Sequence, residues 1–340
     1  MACPPPSRDA SAGVTRVVVF APSPVLTVVI EDRGGVPDVH VHAGGQGVWQ
    51  ARMVSSMGVD VTVCAALGGE TGRLLRHLIA DEGLDTRVVD GAFTNGSYVH
   101  DRRSGERVTV AEHPGDPLPR HVLDEVYGLT VTEALDAGAA ILSGPAGPAV
   151  VPDDIYRRLA SDLGGNGCPV VADLAGDRLA AALDGGLAVA KVSHEELGID
   201  AGDRDALLAA VADLHAAGAR AVVVSRADRP ALALTDDGLF EVRMPRLAPA
   251  DPRGAGDSMT AGMAAALARG LPVTEAVRVG AAAGALNVTR HGLGTGDRGA
   301  IEKLTARVDL VPLPGGTAVT TPDDLAHRLA AGADGGRNRR

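Results

Sequence analysis

Short runs of β-branched and aliphatic residues alternate along this chain with longer stretches in which apolar side chains return every three or four positions. Arg16–Phe20, Val61–Ala66, Ala139–Ser143, Val170–Asp173, Leu187–Lys191 and Ala221–Ser225 are apolar almost throughout, as strands buried on both faces are. Helical spacing occupies 46–57, 71–82, 119–134, 152–163, 203–216, 257–269 and 273–288. Strands separated by helices do not pair as hairpins, so the pattern predicts an α/β fold with a mostly parallel sheet covered by helices on both faces. Two pairs of segments break the alternation: Leu26–Glu31 with Asp38–His42, and Ser97–Arg102 with Arg107–Glu112, each reading as a hairpin. Pro37 falls just ahead of one of these strands, where its missing N–H costs no ladder bond. The four strands, from about 26–43 and 96–112, predict a small antiparallel β lid over the main sheet. No internal repeat is visible. The Pro-, Ser- and Ala-rich residues 1–14 and the Gly-, Asp- and Arg-rich residues 313–340 read as disordered tails, leaving 15–312 as the folded domain.

Composition narrows the function classes. Aromatic residues make up only 2% of the 340, so Ala, Val and Leu must fill the interior. A net charge of −11 argues against a nucleic-acid or anionic-membrane partner, both of which need a basic face. Cys3, Cys64 and Cys168 lie far apart and form neither a disulfide framework nor a metal motif, which points to a reducing cytoplasm. No apolar run reaches the length of a membrane span, and Met1–Thr15 lacks the charged and apolar blocks of a signal peptide. Lysine occurs only at 191 and 303, so a functional lysine has few places to be.

The most informative segment runs from Ala248 to Gly262, where a glycine-punctuated polar loop enters a helix of small residues with Asp257 at the junction. The first-turn amides of a helix have no intrahelical partner and carry the positive end of its dipole. Gly254 and Gly256 place no side chain between those amides and an approaching anion. Asp257 then stands where a base could take a proton from whatever attacks that anion, as in-line phosphoryl transfer requires. Gly-x-Gly-Asp also occurs in ordinary loops, and an Asp at a helix start is a common cap.

Taken with its neighbours, this segment resembles the PfkB (ribokinase-like) carbohydrate kinase family, in particular its 1-phosphofructokinase and phosphofructokinase-B branch, over roughly residues 15–310. Asp251 and Gly254-Ala255-Gly256-Asp257-Ser258-Met259 match its second motif, and Gly44-Gly45-Gln46-Gly47-Val48-Trp49-Gln50-Ala51-Arg52 matches the first in outline. Ala21-Pro22-Ser23, Leu67–Gly72, Leu142–Pro145, Lys191 with His194–Leu197, Val222–Ser225 and Ala281–Gly284 follow in the family's order. The resemblance implies an ATP- and Mg²⁺-dependent kinase with Asp257 as general base and the amides of Gly254, Ala255 and Gly256 as anion hole. It also implies that Glu196 organises the metal through water, and that Ser193, Ser225 and Arg226 line the nucleotide. Lys191 then lies near the phosphates or is a strand-end lysine, and Asn287 edges the adenine or is a polar helix residue. The acceptor would meet Val25, Gly44, Gly45, Gln46, Trp49 and Asn95, and the lid would pair with that of a second copy.

The departures from the family pattern cluster at the acceptor. The acid that holds sugar hydroxyls is Val25, the motif lysine is Gln46, and the asparagine after the third glycine is Trp49. The lid's Thr-Arg-x-Asn is Thr94-Asn95-Gly96-Ser97, without the arginine that grips a substrate phosphate. The family branch points to fructose 1-phosphate or fructose 6-phosphate, whereas these changes point to a different acceptor, one without a phosphate included. Trp49 stacks on that acceptor or packs against the lid, and His40, His42, His100 and His113 are substrate contacts, a metal cluster or surface histidines. On the nucleotide side Ser193, Ala227 and Pro230 replace an asparagine and two glycines, which leaves a second reading open: a non-catalytic ligand-binding or regulatory protein that kept the kinase fold.

Overall fold

The computed structural model describes residues 15–147, 149–245, 247, 253–289 and 294–314. Both predicted tails therefore lie outside the described residues, apart from Leu313 and Pro314. The first half of the chain runs β1 (Arg16–Phe20), β2 (Val25–Asp32), β3 (Pro37–Gly44), α1 (Gln46–Ser56), β4 (Asp60–Gly68), α2 (Gly69–Asp81) and β5 (Asp85–Gly91). It continues through β6 (Asn95–Asp101), β7 (Val108–Gly115), α3 (Arg120–Ala134), β8 (Ala139–Ser143), α4 (Asp154–Gly165), β9 (Val170–Asp173) and α5 (Gly176–Gly185). Then come β10 (Leu187–Ser193), α6 (Arg204–Ala216), β11 (Ala219–Arg226), β12 (Arg229–Thr235) and β13 (Gly238–Arg243). The last elements are α7 (Ala255–Ala268), α8 (Val273–Val288), α9 (Arg298–Thr305) and β14 (Asp309–Pro312).

A ten-stranded sheet in the order β14-β13-β12-β11-β10-β9-β8-β1-β4-β5 forms the body. Strands β11 through β5 in that order are parallel, and β12, β13 and β14 extend one edge as an antiparallel meander. Its strands alternate between two cores: Val17 and Val19 pack beneath α1, α2, α7, α8 and α9, while Val18 and Phe20 pack beneath α3, α4, α5 and α6. This explains why the central strands read as unbroken apolar runs. From β1 the chain moves to β4 on one side and later returns to β8 on the other, so the carboxyl ends of β1 and β8 flank a topological switch point where ligands bind. Against one face α7 and α8 pack very closely, because a Cβ on Gly262 would meet the Cα of Gly280 at 2.9 Å.

The predicted lid is a separate four-stranded sheet in the order β3-β2-β6-β7. Its two hairpins are antiparallel as expected, but they join through a parallel β2–β6 pairing. The second hairpin enters only after the chain has crossed β4, α2 and β5, which brings β6 back in the same direction as β2. Missing from the sequence reading are α5, α9, β5 and the β12–β14 edge, all of them short or mixed in polarity.

Candidate active site

The glycine turn expected to bind an anion forms as its residues require. Gly254 takes the left-handed conformation, φ 72° and ψ 4°, and caps α7 with no side-chain hydrogen bond to the first-turn amides. The helix begins at Ala255, two residues before the predicted start, because Gly256 is itself helical. Asp257 thus occupies the third helical position rather than the junction. Gly256 is needed for a spatial reason: a Cβ there would collide with the Lys191 ammonium.

Lys191 lies two residues before the end of β10 with its charge buried, paired at 3.0 Å to Asp173 Oδ1 at the end of β9. The second oxygen of Asp173 accepts from Thr260 Oγ1 at 3.0 Å and from Gln50 Nε2 at 3.3 Å. Gln50 Nε2 also donates to Asp257 Oδ1 at 3.3 Å, and its Oε1 accepts from the hydroxyl of Ser143 at 2.5 Å. One connected network therefore joins α1, the ends of β8, β9 and β10, and the first turn of α7. Burial pushes the Asp257 carboxyl up to about 8, helped by the charge of Asp173 and opposed by Lys191, with Glu196 raising it further and the Gln50 hydrogen bond lowering it. Burial also lowers Lys191, but the carboxylates of Asp173, Glu196 and Asp257 outweigh it and hold the ammonium above its ordinary value.

Among the residues expected to line a nucleotide, Glu196 lies in an exposed turn, where its Oε2 accepts from the Ser193 amide at 2.7 Å and the Ser193 hydroxyl at 2.9 Å. The Ser193 hydroxyl also accepts from the Glu196 amide, a reciprocal cap that gives this serine a clear local purpose. Ser225 lies near the end of β11 beside Ser193 in register, its hydroxyl 3.4 Å from the Val192 carbonyl. Ala227 holds φ 52°, so the backbone keeps a left-handed turn where the family pattern has glycine. Asn287 is fully committed to structure: its Nδ2 donates to the Arg253 carbonyl at 2.7 Å and its Oδ1 accepts from the Gly294 amide at 3.1 Å. Because Gly294 presses on the Trp49 backbone, Asn287 ties the approach to the anion turn to the start of α1.

Several of the expected residues stand apart from this cluster. Arg226 is buried and turned toward the sheet edge, with Nε donating to the Pro230 carbonyl at 2.5 Å and Nη2 3.3 Å from Glu241. Asn95 is a buried cross-link, its Oδ1 accepting from the Gly68 amide and its Nδ2 donating to the carbonyls of Pro24 and Ala66. Its loss would leave those backbone groups unpaired at about 1–3 kcal/mol each. Val25 is 1% exposed and pairs in register with Gly44. Gly45 caps α1 at φ 95°, and Gln46 reaches across to accept from the Gly144 amide at 2.6 Å. Trp49 is half-buried in the first turn of α1.

The lid's inner face carries His40, His42, Thr27, Tyr98 and His100, which the strand register places together. The charge of Arg253 reaches His100, so this face looks toward the anion turn. His40 and His42 stack, His100 contacts Arg107, and no set of three or more metal-binding side chains occurs among the described residues. Sequence reasoning missed Asp173, Gln50, Ser143 and Thr260. The available signals were a carboxylate closing an apolar strand, a glutamine inside the glycine motif, and a threonine three residues after Asp257.

The profile of the pfkB family carbohydrate kinases matches residues 25–298. The chain belongs to that family. The ATP-dependent 6-phosphofructokinase isozyme 2 of Mycobacterium tuberculosis is 29% identical over 316 residues, spanning 86% of this chain and 89% of the relative. The 1-phosphofructokinase of Bacillus subtilis is 26% identical over 265 residues, 75% of this chain and 84% of its own. The crystal structure of Escherichia coli phosphofructokinase-2 with potassium superposes with a TM-score of 0.74 at 25% identity, covering 86% of this chain and 98% of that one. Ribokinase from Arabidopsis thaliana, solved with ribose and ATP, shares the fold at a TM-score of 0.65 and 21% identity, covering 86% of this chain and 99% of that one. No helix among the described residues is long and apolar enough to cross a membrane.

Proposed function

We propose that this family member transfers the γ-phosphoryl group of ATP to a hydroxyl of a small carbohydrate-like acceptor, with Asp257 as general base. One observation carries the reading: a buried carboxyl, held by Gln50 and pushed up to about 8, stands in the first turn of α7 beside glycine-lined amides that no side chain caps. Asp257 takes the proton of the acceptor hydroxyl, the oxygen attacks the γ-phosphorus, and the bond to ADP breaks as charge passes to the amides of Gly254, Ala255 and Gly256. Lys191, braced by Asp173 against Gly256, adds a fixed positive charge at the same turn. Ser193 in its reciprocal cap and Ala227 in its left-handed turn support an intact nucleotide loop, so the non-catalytic reading gains nothing from them.

Magnesium neutralises phosphate charge when it arrives with the nucleotide, and it keeps several waters rather than needing a protein cage. The residues present fit such an ion. Glu196 would hold it through water: Ser193 occupies its Oε2, while Oε1 makes no hydrogen bond among the described residues. Glu196→Gln is expected to raise the Mg²⁺ concentration for half-maximal activity roughly tenfold or more. An unchanged metal titration would return Glu196 to a purely structural cap.

The lid supports self-association. On its outer face Val39, Ile30, Asp101 and Val108 share one row across the strands and Val41, Val28 and Val99 another, with Val39 58%, Val41 43% and Val108 53% exposed. A second copy of this chain would cover these valines, and Escherichia coli phosphofructokinase-2 has been solved as a tetramer. Sedimentation of the Val39→Asp, Val108→Asp double variant is expected to give monomer where the wild type gives dimer. An unchanged mass would place any interface elsewhere.

A further inference from the structure

We propose that Gln50 is a positioning residue for phosphoryl transfer: its amide clamps Asp257 to the buried carboxylate of Asp173 and sets the pH range in which Asp257 acts. This rests on the reading of Asp257 as base. Gln50 is completely buried in α1, and both hydrogens of its Nε2 are spent, one on Asp257 Oδ1 and one on Asp173 Oδ2. The orientation is chemically determined, because Ser143 donates to Oε1, and a flipped amide would press its oxygen against two carboxylates. Two carboxylates that close oppose each other's ionisation, and a donor shared between them stabilises the charged form of both.

Four groups act on Asp257: Asp173 from β9, Lys191 from β10, Glu196 from the turn after β10, and Gln50 from α1. Asp173 and Glu196 disfavour its charge, whereas Lys191 and Gln50 favour it. Lys191 spends its direct contact on Asp173, which leaves Gln50 as the hydrogen-bond donor to Asp257 among the described residues. With Oδ1 held, Oδ2 is the oxygen left to take the proton of the acceptor hydroxyl. The clamp therefore orders the base and holds its carboxyl lower than burial and the neighbouring carboxylates alone would set it.

The test is the pH dependence of kcat/KM in Gln50→Met and Asp173→Asn. Methionine keeps the length of the side chain but removes the donor, so the rise of kcat/KM along its acid limb is expected to move alkaline by about one pH unit. Asp173→Asn removes the opposing charge and frees Lys191 to turn toward Asp257, so the same rise should move acidic by about one unit or more. A purely structural role would lower activity in both variants without moving either profile, and that result would overturn the proposal. Should Gln50→Met fail to fold, Ser143→Ala releases the amide more gently and should give a smaller alkaline shift. Urea unfolding across pH supplies a readout independent of turnover: in Gln50→Met the loss of stability with rising pH should extend to higher pH. If Asp257→Asn remains active, the base assignment fails while the unfolding curves still report the clamp. If Asp257→Asn is inactive but neither the profiles nor the unfolding curves move, the clamp alone is overturned.

Discussion

Replacing Asp257 by asparagine is expected to lower kcat by on the order of 10²-fold or more while leaving nucleotide affinity nearly unchanged. Asparagine keeps the shape and can still accept from Gln50 Nε2, but it cannot take the hydroxyl proton. A second consequence concerns stability, and its sign is opposite to that of a typical surface acid. The Asp257 carboxyl titrates near 8 in the folded protein against an ordinary 3.8, so the folded state binds its proton more tightly than the unfolded chain. Stability from this group is complete below about pH 4 and is lost as pH rises toward about 8. Asparagine has no such proton, so the variant should lose less stability than wild type between those limits in urea titrations. Retention of more than about half of the wild-type kcat would make Asp257 an ordinary first-turn acid and remove the central assignment.

Fructose 1-phosphate and fructose 6-phosphate are expected to be poor acceptors, with kcat/KM well below about 10⁴ M⁻¹s⁻¹. Where the family pattern places an acid for sugar hydroxyls, Val25 is apolar and buried. Where it places the lid arginine, Asn95 has its amide consumed by Gly68, Pro24 and Ala66. Where it places the motif lysine, Gln46 is tied to Gly144. Each missing charge-assisted contact is worth roughly 1.5–3 kcal/mol, so losing two weakens binding by on the order of 10²- to 10⁴-fold. A coupled assay with MgATP and a panel of sugars, sugar phosphates and nucleosides tests this, and Trp49 fluorescence should respond to the true acceptor. Arg107, in the turn ahead of β7, contacts His100 of the lid and is the arginine that would serve a phosphate by another route. Efficient turnover of either fructose phosphate would show that it does, and would end the altered-acceptor reading.

The parallel sheet, the separate lid and the anion turn were legible in the sequence because each depends on neighbouring residues. A strand buried on both faces must be apolar throughout, and Arg16–Phe20, Ala139–Ser143 and Val170–Asp173 carry that pattern to their observed ends. The Gly254–Asp257 turn is likewise local, since a left-handed glycine cap and first-turn amides are set within four residues. The edge strands β12–β14 and the helices α5 and α9 are short and mixed in polarity, so their period is weak. Only the tertiary structure decided which polar side chains meet around Asp257 and which cross-link the fold. Gln50 and Asp173 stand 123 positions apart, and they meet because the first turns of α1 lie against the carboxyl end of β9. Asn95, Arg226 and Asn287 match positions that a motif assigns to ligands, yet backbone groups or the partly buried Glu241 claim their polar atoms. A motif specifies residue type and spacing, whereas the partner of a buried polar atom is set by whatever the fold brings within hydrogen-bonding distance.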